Sequence, residues 1–549
     1  MGEGPERYPD DMNRLWPIAL FAVACDPGDV PGDPATVTVT LPVSHSSLRD
    51  LTAELESGGK EVRFTWTLDG EPSDFEGPVI PNDALEPGQI WRVAANVGAG
   101  PPQVAETLIH PGGNVLVVIV DDLGIDKFAA YDAHPDPAPT PVMDGLAADG
   151  VMFRSAWANP TCSPSRASML TGRHARRSGI GGWIHPQSSA YSLPLAETTI
   201  PEVLIRAEES WATSAVGKWH LVGGLDDERI HHPTRSGFDW YAGTLGNANN
   251  HVDGNPEFPV GYFYHQNVRD AAYEWSSTYL TTATADDAIA RLEVMPEPWF
   301  MWLAFNAPHE PIHVPPLELH NFDFEPNAPD HLRHAAMIEA LDTELGRVLA
   351  SMDERQRAET TIILVGDNGS AKEVITAPHD VTRCKGTLYE GGVNVPLVIA
   401  GPHVHAIGAE TDALVHVVDI FSTVAEIGGV DLSTVPDEVT GAPLVIDGAS
   451  LLPHMRAPES APRRDSVYTE KFEDNGAPPY GADSRTVRGP DYKLVRNVTL
   501  QEDRFYAYIS PYDEGNRIEP MPITGAGAAA LVTLEAEMNR MIEELTFDH

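Results

Sequence analysis

Cysteine is scarce: Cys25, Cys162 and Cys384 are the only three in 549 residues. Three thiols are too few for a disulfide framework, so each cysteine needs its own explanation. Basic residues are scarce as well. Lys and Arg total 36 against 81 Asp and Glu, a formal net charge of -45. That balance argues against a nucleic-acid partner, because phosphate backbones are held by a basic face. It describes a heavily solvated surface suited to salty surroundings. An anionic substrate would have to be met by positive charge gathered locally. Long apolar runs are missing too: the run from Leu15 to Ala24 is too short to span a bilayer, and no other stretch is long or apolar enough. What is present is a 42% hydrophobic share, which marks a globular chain, and a length that allows more than one domain and a large core.

Cys25 closes a positive start (Met12-Asn13-Arg14), a short apolar core and small residues. This pattern resembles a bacterial lipoprotein signal, with Ala22 where Leu is usual. Residues 1–25 are therefore expected to be an export signal read from Met12, with a lipid anchor at Cys25 and a periplasmic or outer-membrane-associated protein as the result. A plain cleaved signal is the rival reading, and an internal hydrophobic segment the third. Residues 26–35, rich in Asp, Pro and Gly, read as a linker. Residues 36–110 carry alternating runs at Thr36–Leu41, Val62–Leu68 and Ile90–Val93, expected to form a β-sandwich-like module. The module is loosely similar to immunoglobulin-like modules of secreted bacterial proteins.

Residues 111–461 change character. Val115–Val120 is a continuous apolar run, as a parallel strand buried on both faces requires. Similar runs recur at Trp299–Ala304, Thr361–Val365 and Val395–Ile399, with helical patterns between them at Thr284–Leu292 and His334–Met352. The alternation predicts an α/β domain with a doubly wound, mostly parallel sheet, whose ligands bind at the carboxyl ends of strands. Residues 462–549 read as short antiparallel strands closed by a helix from Ala528 to Leu545.

The polar groups that follow these runs carry the chemistry. Asp121 and Asp122 end the first strand, and Asp367 and Asn368 end the strand over Thr361–Gly366. Two such hard-oxygen pairs suit a divalent cation of the calcium or magnesium type. Cys162 stands in Thr161-Cys162-Ser163-Pro164-Ser165-Arg166, followed by Leu170-Thr171-Gly172-Arg173. Pro favours the first helical turn, where free N–H groups and the helix dipole face an anion, and Arg166 adds a cationic fork.

The Cys162 run resembles the C-x-P-S-R…L-T-G-R signature of type I sulfatases. Gly217-Lys218-Trp219-His220, Pro308-His309-Glu310-Pro311 and Lys385-Gly386 through Glu390-Gly391-Gly392 match three further elements of that family, in family order. The likeness covers roughly residues 114–545. It implies an alkaline-phosphatase-like fold with a small C-terminal antiparallel subdomain, and an arylsulfatase-like sulfuric ester hydrolase. It further implies that Cys162 is oxidised to formylglycine by a formylglycine-generating enzyme, and that the hydrated aldehyde, a gem-diol, attacks sulfur and then releases sulfate by hemiacetal collapse. Asp121, Asp122, Asp367 and Asn368, with the modified Cys162, would hold the metal, Ca2+ before Mg2+. Arg166 and Lys218 would steady the diol and the sulfate. His220 would accept a proton, and His309 and Lys385 would bind sulfate, with either one protonating the leaving oxygen. The expected partner is a sulfated small molecule or saccharide. A phosphonate monoester or phosphodiester hydrolase of the same superfamily is the nearest alternative, and an inactive lipid-anchored binding protein the alternative of another class.

Five residues outside these elements carry two readings each. Cys384 is a thiol activated by Lys385 or a buried structural cysteine. His379 and Arg383 line the pocket or are plain surface. The pair His231-His232 binds metal or sits in a solvated turn.

Overall fold

A computed structural model describes residues 38–547, apart from 41–43, 47–50, 57–61, 82–83, 86–88, 98–101, 111, 186–190, 208, 225–226, 249–260, 326, 438–439, 509–513 and 515–524. The signal-like segment with Cys25, and the linker, lie outside the described residues. No helix among the described residues is long and apolar enough to cross a membrane.

A ten-stranded sheet organises the chain. Its strands run in the order Ala272–Ser276, His265–Arg269, Trp240–Gly243, Ala212–Gly217, Trp299–Ala304, Asn114–Val120, Thr360–Gly366, Leu397–Ala400, Gly150–Trp157, Ala409–His416. Asn114–Val120 lies at the centre and pairs in parallel on both sides, with Val115 opposite both Phe300 and Thr361. Burial on both faces explains its unbroken apolar run. Val115, Val117 and Ile119 pack on one face, with Met169, Leu170 and Ile420. Leu116, Val118 and Val120 pack on the other, with Met143, Leu341 and Ala285. Side chains that alternate across a strand thus feed two separate cores.

The sheet is α/β and doubly wound, but more mixed than the apolar runs suggest. Leu397–Ala400 is antiparallel to both of its neighbours, and the hairpin at one edge is antiparallel as well. An apolar run reads the same in either direction, so strand polarity leaves no mark on it.

Among the described residues there are also four smaller sheets, two of them of only two strands. Near the N-terminus, a five-stranded sheet (Ser44–Ser46, Gln103–His110, Ile90–Val97, Val62–Leu68, Glu71–Pro72) packs around Trp66 and Trp91, whose rings meet edge to face at 6.3 Å. Near the C-terminus, four antiparallel strands over Val467–Glu473, Ala482–Arg488, Tyr492–Asn497 and Glu502–Ala507 carry the helix Ala526–Glu544.

Candidate active site

The site forms where the central strands end. Neighbouring side chains diverge along a strand, yet Asp121 and Asp122 converge, because Asp122 turns the chain with φ 64°. A short polar side chain tolerates this left-handed backbone. Oxygens of both carboxylates, Cys162 Sγ and a ring nitrogen of His309 consequently lie within 4.8 Å of one another. The end of Thr360–Gly366 closes against them: Asp367 Oδ1 accepts the Asp122 N–H at 3.1 Å. Gly369 makes that approach feasible, since a Cβ there would stand 1.9 Å from the Gly391 carbonyl oxygen.

The donors fit a hard divalent cation. Asp121, Asp122, Asp367 and Asn368 are all buried. Asn368 Nδ2 donates to Asp122 Oδ1 at 2.8 Å and to the Gly369 carbonyl at 3.0 Å, which leaves Asn368 Oδ1 buried without a partner. Burial, and then the neighbouring Asp121 charge, push Asp367 up to about 6 against the pull of Arg166. Crowded carboxylates with an orphaned amide oxygen form an all-oxygen set of the kind calcium takes, and such a set does not discriminate strongly against magnesium. The tightest cluster adds Cys162 and His309 to Asp121 and Asp122, whereas Asp367 is engaged from behind by Arg166.

Cys162 opens the buried helix Cys162–Thr171, immediately after Thr161. Its Sγ donates to Asp121 Oδ1 at 3.4 Å and lies 4.0 Å from Asp122 Oδ1. Burial, followed by the Asp121 charge, pushes the thiol well above its ordinary range. A nucleophilic cysteine needs the opposite shift, so Cys162 in its encoded form is a poor nucleophile.

The cations stand around this point. Gly217, with φ 92° and no room for a Cβ (the Ala304 carbonyl oxygen would be 2.0 Å away), lets the strand end lie close against its parallel neighbour and turn at Lys218. Lys218 Nζ pairs with Asp121, both fully buried. Lys385 Nζ pairs with Asp122 at 2.6 Å. Burial works against the Asp122 charge, yet Lys385, then His309 and Lys218, hold that carboxyl well below the usual range. Arg166 sets two nitrogens on Asp367 Oδ2, each at 2.9 Å, and donates Nη1 to the Lys218 carbonyl at 2.8 Å. Its fork thus engages Asp367 and the Lys218 carbonyl directly.

Both histidines are held neutral. Burial, then Lys385, lowers His309 to about 3. Its Nδ1 contacts the Glu310 carbonyl at 2.9 Å, and since a carbonyl only accepts, the proton resides there and Nε2 is bare, 3.9 Å from Asp122 Oδ2. Burial, then Lys218, lowers His220 well below its usual value. Its Nε2 donates to the Ile184 carbonyl at 3.0 Å, leaving a buried Nδ1 lone pair without a hydrogen-bond partner.

Of these five residues, Cys384 and His232 resolve. Cys384 is buried and its thiol is pushed up by burial and then Glu373, while the Lys385 ammonium pairs with Asp122; the activated-thiol reading is corrected. His379 donates to the Ala133 carbonyl at 2.8 Å, and Arg383 lies over the Tyr389 ring at 5.1 Å. His232 is neither a ligand nor solvated. It is buried, accepts from Trp219 Nε1 at 3.1 Å and donates to the Leu193 carbonyl at 3.0 Å, so no lone pair remains for a metal.

A pH dependence of stability follows from such buried histidines. Burial lowers His232, His265 and His313 each to about 4, against about 6.5 in the unfolded chain. A depressed folded value contributes stability that is present above 6.5 and is lost as the pH falls through 4. Asp287 and Asp342, raised by burial to about 6, offset part of this. Thermal melts should show Tm falling from pH 6.5 to 4, and His265→Gln should flatten the slope.

One buried cluster escaped the sequence reading. Glu390 binds Lys493 Nζ at 3.0 Å, Arg488 Nη1 at 3.2 Å and the Tyr508 hydroxyl at 2.6 Å, tying the catalytic body to the C-terminal sheet. Its only sequence signal is its place in the Lys385–Gly392 element; the partners lie about a hundred residues away. Glu390→Gln should lower stability by about 3 kcal/mol, since breaking a buried pair strands a charge. Denaturant titration checks this.

The fold is that of a doubly wound α/β enzyme whose site lies at the carboxyl ends of the central strands. The chain belongs to the sulfatase family, whose sequence model, described as Sulfatase, matches residues 113–430. It is 29% identical to N-acetylgalactosamine-6-sulfatase of Canis lupus familiaris over 401 residues, covering 66% of this chain and 70% of that protein. Among solved structures, Ps i-CgsB superposes with a TM-score of 0.65 at 23% identity, covering 80% of this chain and 94% of that one. BT4656, solved with its substrate D-glucosamine-2-N,6-O-disulfate, superposes with a TM-score of 0.60 at 19% identity, covering 79% and 99%.

Proposed function

We propose that this chain hydrolyses a sulfate ester of a saccharide, using one divalent cation, Ca2+ before Mg2+, and a formylglycine made from Cys162 by a formylglycine-generating enzyme. The observation that carries the reading is the convergence of Lys218, Lys385 and His309 on Asp121, Asp122 and Cys162 at one buried point. The kinship with a galactosamine-6-sulfatase supports a sugar sulfate as substrate.

The oxidised residue 162 supplies an oxygen nucleophile, and the cation supplies charge for the sulfate oxygens. The chain does the rest. Lys218 and Lys385 hold positive charge where a sulfate ester and its departing alkoxide carry negative charge, in a dry site where such contacts are strongest. His220 presents its bare Nδ1 as proton acceptor. Of the two groups placed to protonate the leaving oxygen, Lys385 carries its proton and His309 presents a bare Nε2, so the donor role falls to Lys385. Export from a signal ending at Cys25, with a periplasmic or outer-membrane-associated location, belongs to the same proposal; labelling with radioactive palmitate tests the anchor.

The direct test assays mature enzyme, coexpressed with a formylglycine-generating enzyme and supplied with calcium, on hexosamine 6-O-sulfates, 4-nitrophenyl sulfate, a phosphodiester and a phosphonate. Fastest release from a sugar sulfate is expected. A preference for the phosphodiester or phosphonate contradicts the reading.

A further inference from the structure

Aromatic side chains climb away from the site toward solvent. Tyr262 is buried, and its hydroxyl lies 2.8 Å from the His309 carbonyl and 2.6 Å from that of Asn306. The next two residues emerge: Phe263 is 50% exposed and Tyr264 37%, and Trp275, 44% exposed, lies nearby. Tyr264 and Trp275 stack at 5.0 Å with their planes 13° apart. Phe263 meets His313 at 5.4 Å, on the segment that carries His309.

Sheet register places this group on the same rim as the catalytic residues. Gly243, at the carboxyl end of its strand, pairs with Val268. The antiparallel neighbour therefore begins, at His265, on that rim, and the edge strand returns to it with Trp275 opposite Gln266. The edge strand lies three strand positions from Ala212–Gly217, the strand that leads into Lys218, on the order of 14 Å at the usual strand spacing. That span is longer than one pyranose ring.

The charges here do not suit an anion. Arg269 is tied to Glu274 and Asp287, and Arg229 to the Tyr273 hydroxyl and the Gly224 carbonyl. Exposed large aromatics clustered beside a functional cleft mark a binding surface, and an aromatic face, electron-rich at its centre, receives the C–H face of a sugar ring.

We propose that Phe263, Tyr264 and Trp275 form a stacking platform for an uncharged pyranose ring of a sulfated oligosaccharide whose sulfated residue occupies the site beside His309. This rests on the saccharide sulfatase reading and narrows it: the substrate is an oligosaccharide, not a free monosaccharide sulfate.

The test compares mature wild-type enzyme with Tyr264→Ala/Trp275→Ala and, separately, Phe263→Ala, on two probes. One is a tetrasaccharide whose single charge is a terminal 6-O-sulfo-N-acetylglucosamine, its other residues being neutral; the other is 4-nitrophenyl sulfate. All three substituted side chains are partly exposed, and thermal melts verify that each variant folds. The double variant should raise KM for the tetrasaccharide at least tenfold, with kcat within twofold and 4-nitrophenyl sulfate kinetics unchanged. Calorimetry with the desulfated tetrasaccharide should show binding to wild type and none to the double variant. Equal losses on both probes, an unchanged tetrasaccharide KM, a double variant that does not fold, or wild type that turns over only the aryl sulfate each overturn the platform while leaving sulfatase chemistry intact. No turnover of either probe by wild type overturns the parent reading, and the platform with it.

Discussion

Cys162→Ala should abolish turnover, with kcat down by about 10^4- to 10^6-fold, the scale on which loss of a covalent nucleophile acts. The fold should survive, because Cys162 Sγ makes only long contacts, 3.4 Å and 4.0 Å, to Asp121 and Asp122. Tm should therefore move little while activity disappears. Cys162→Ser should be equally inactive in a host that does not oxidise serine. The hydroxyl is smaller than the thiol and fits its space without clash, so the loss expected is one of chemistry. Mass spectrometry of the peptide spanning Cys162 in active wild type should show the thiol-to-aldehyde change. Normal turnover by the alanine variant, or full activity with an intact thiol, would refute the assignment.

Lys218→Met should have the second largest effect. Lys218 is fully buried with its ammonium on Asp121. Removing a preorganised donor from such a site lowers kcat by about 10^2- to 10^3-fold. It also strands Asp121 and should lower stability by about 3–5 kcal/mol. Lys218→Arg should not restore activity, because a planar fork cannot replace a point charge in that space. Adding Asp121→Asn to Lys218→Met should recover stability without recovering turnover. Denaturant titration and steady-state kinetics, run together, separate the two losses. A Lys218→Met enzyme with near-normal kcat would remove Lys218 from the chemistry.

Much of this site is legible along the chain because its residues sit at strand ends. The apolar run ending at Val120 announces Asp121 and Asp122, and the run ending at Gly366 announces Asp367 and Asn368. Cys162 and Arg166 share one helix, so a local signature captures both. What stays hidden is set by tertiary contact. The reversed direction of Leu397–Ala400 has no apolar signature. The left-handed turn at Asp122 that brings two carboxylates together has none either. The proton positions on His220 and His309 depend on the carbonyls of Ile184 and Glu310, which only the folded chain places. His232 looked like a surface pair with His231, but Trp219 and Leu193 enclose it. The Glu390 cluster joins residues from two sheets, and no local spacing encodes it.

Diffraction from crystals of the mature protein grown in calcium is the most direct test of the central claim. A single ion is predicted, held by carboxylate oxygens of Asp121, Asp122 and Asp367 and by Asn368 Oδ1, at about 2.3–2.6 Å, with an oxidised side chain at position 162 facing it. Calcium bound elsewhere, with Asn368 Oδ1 still unpartnered and an unmodified thiol at Cys162, would contradict the account.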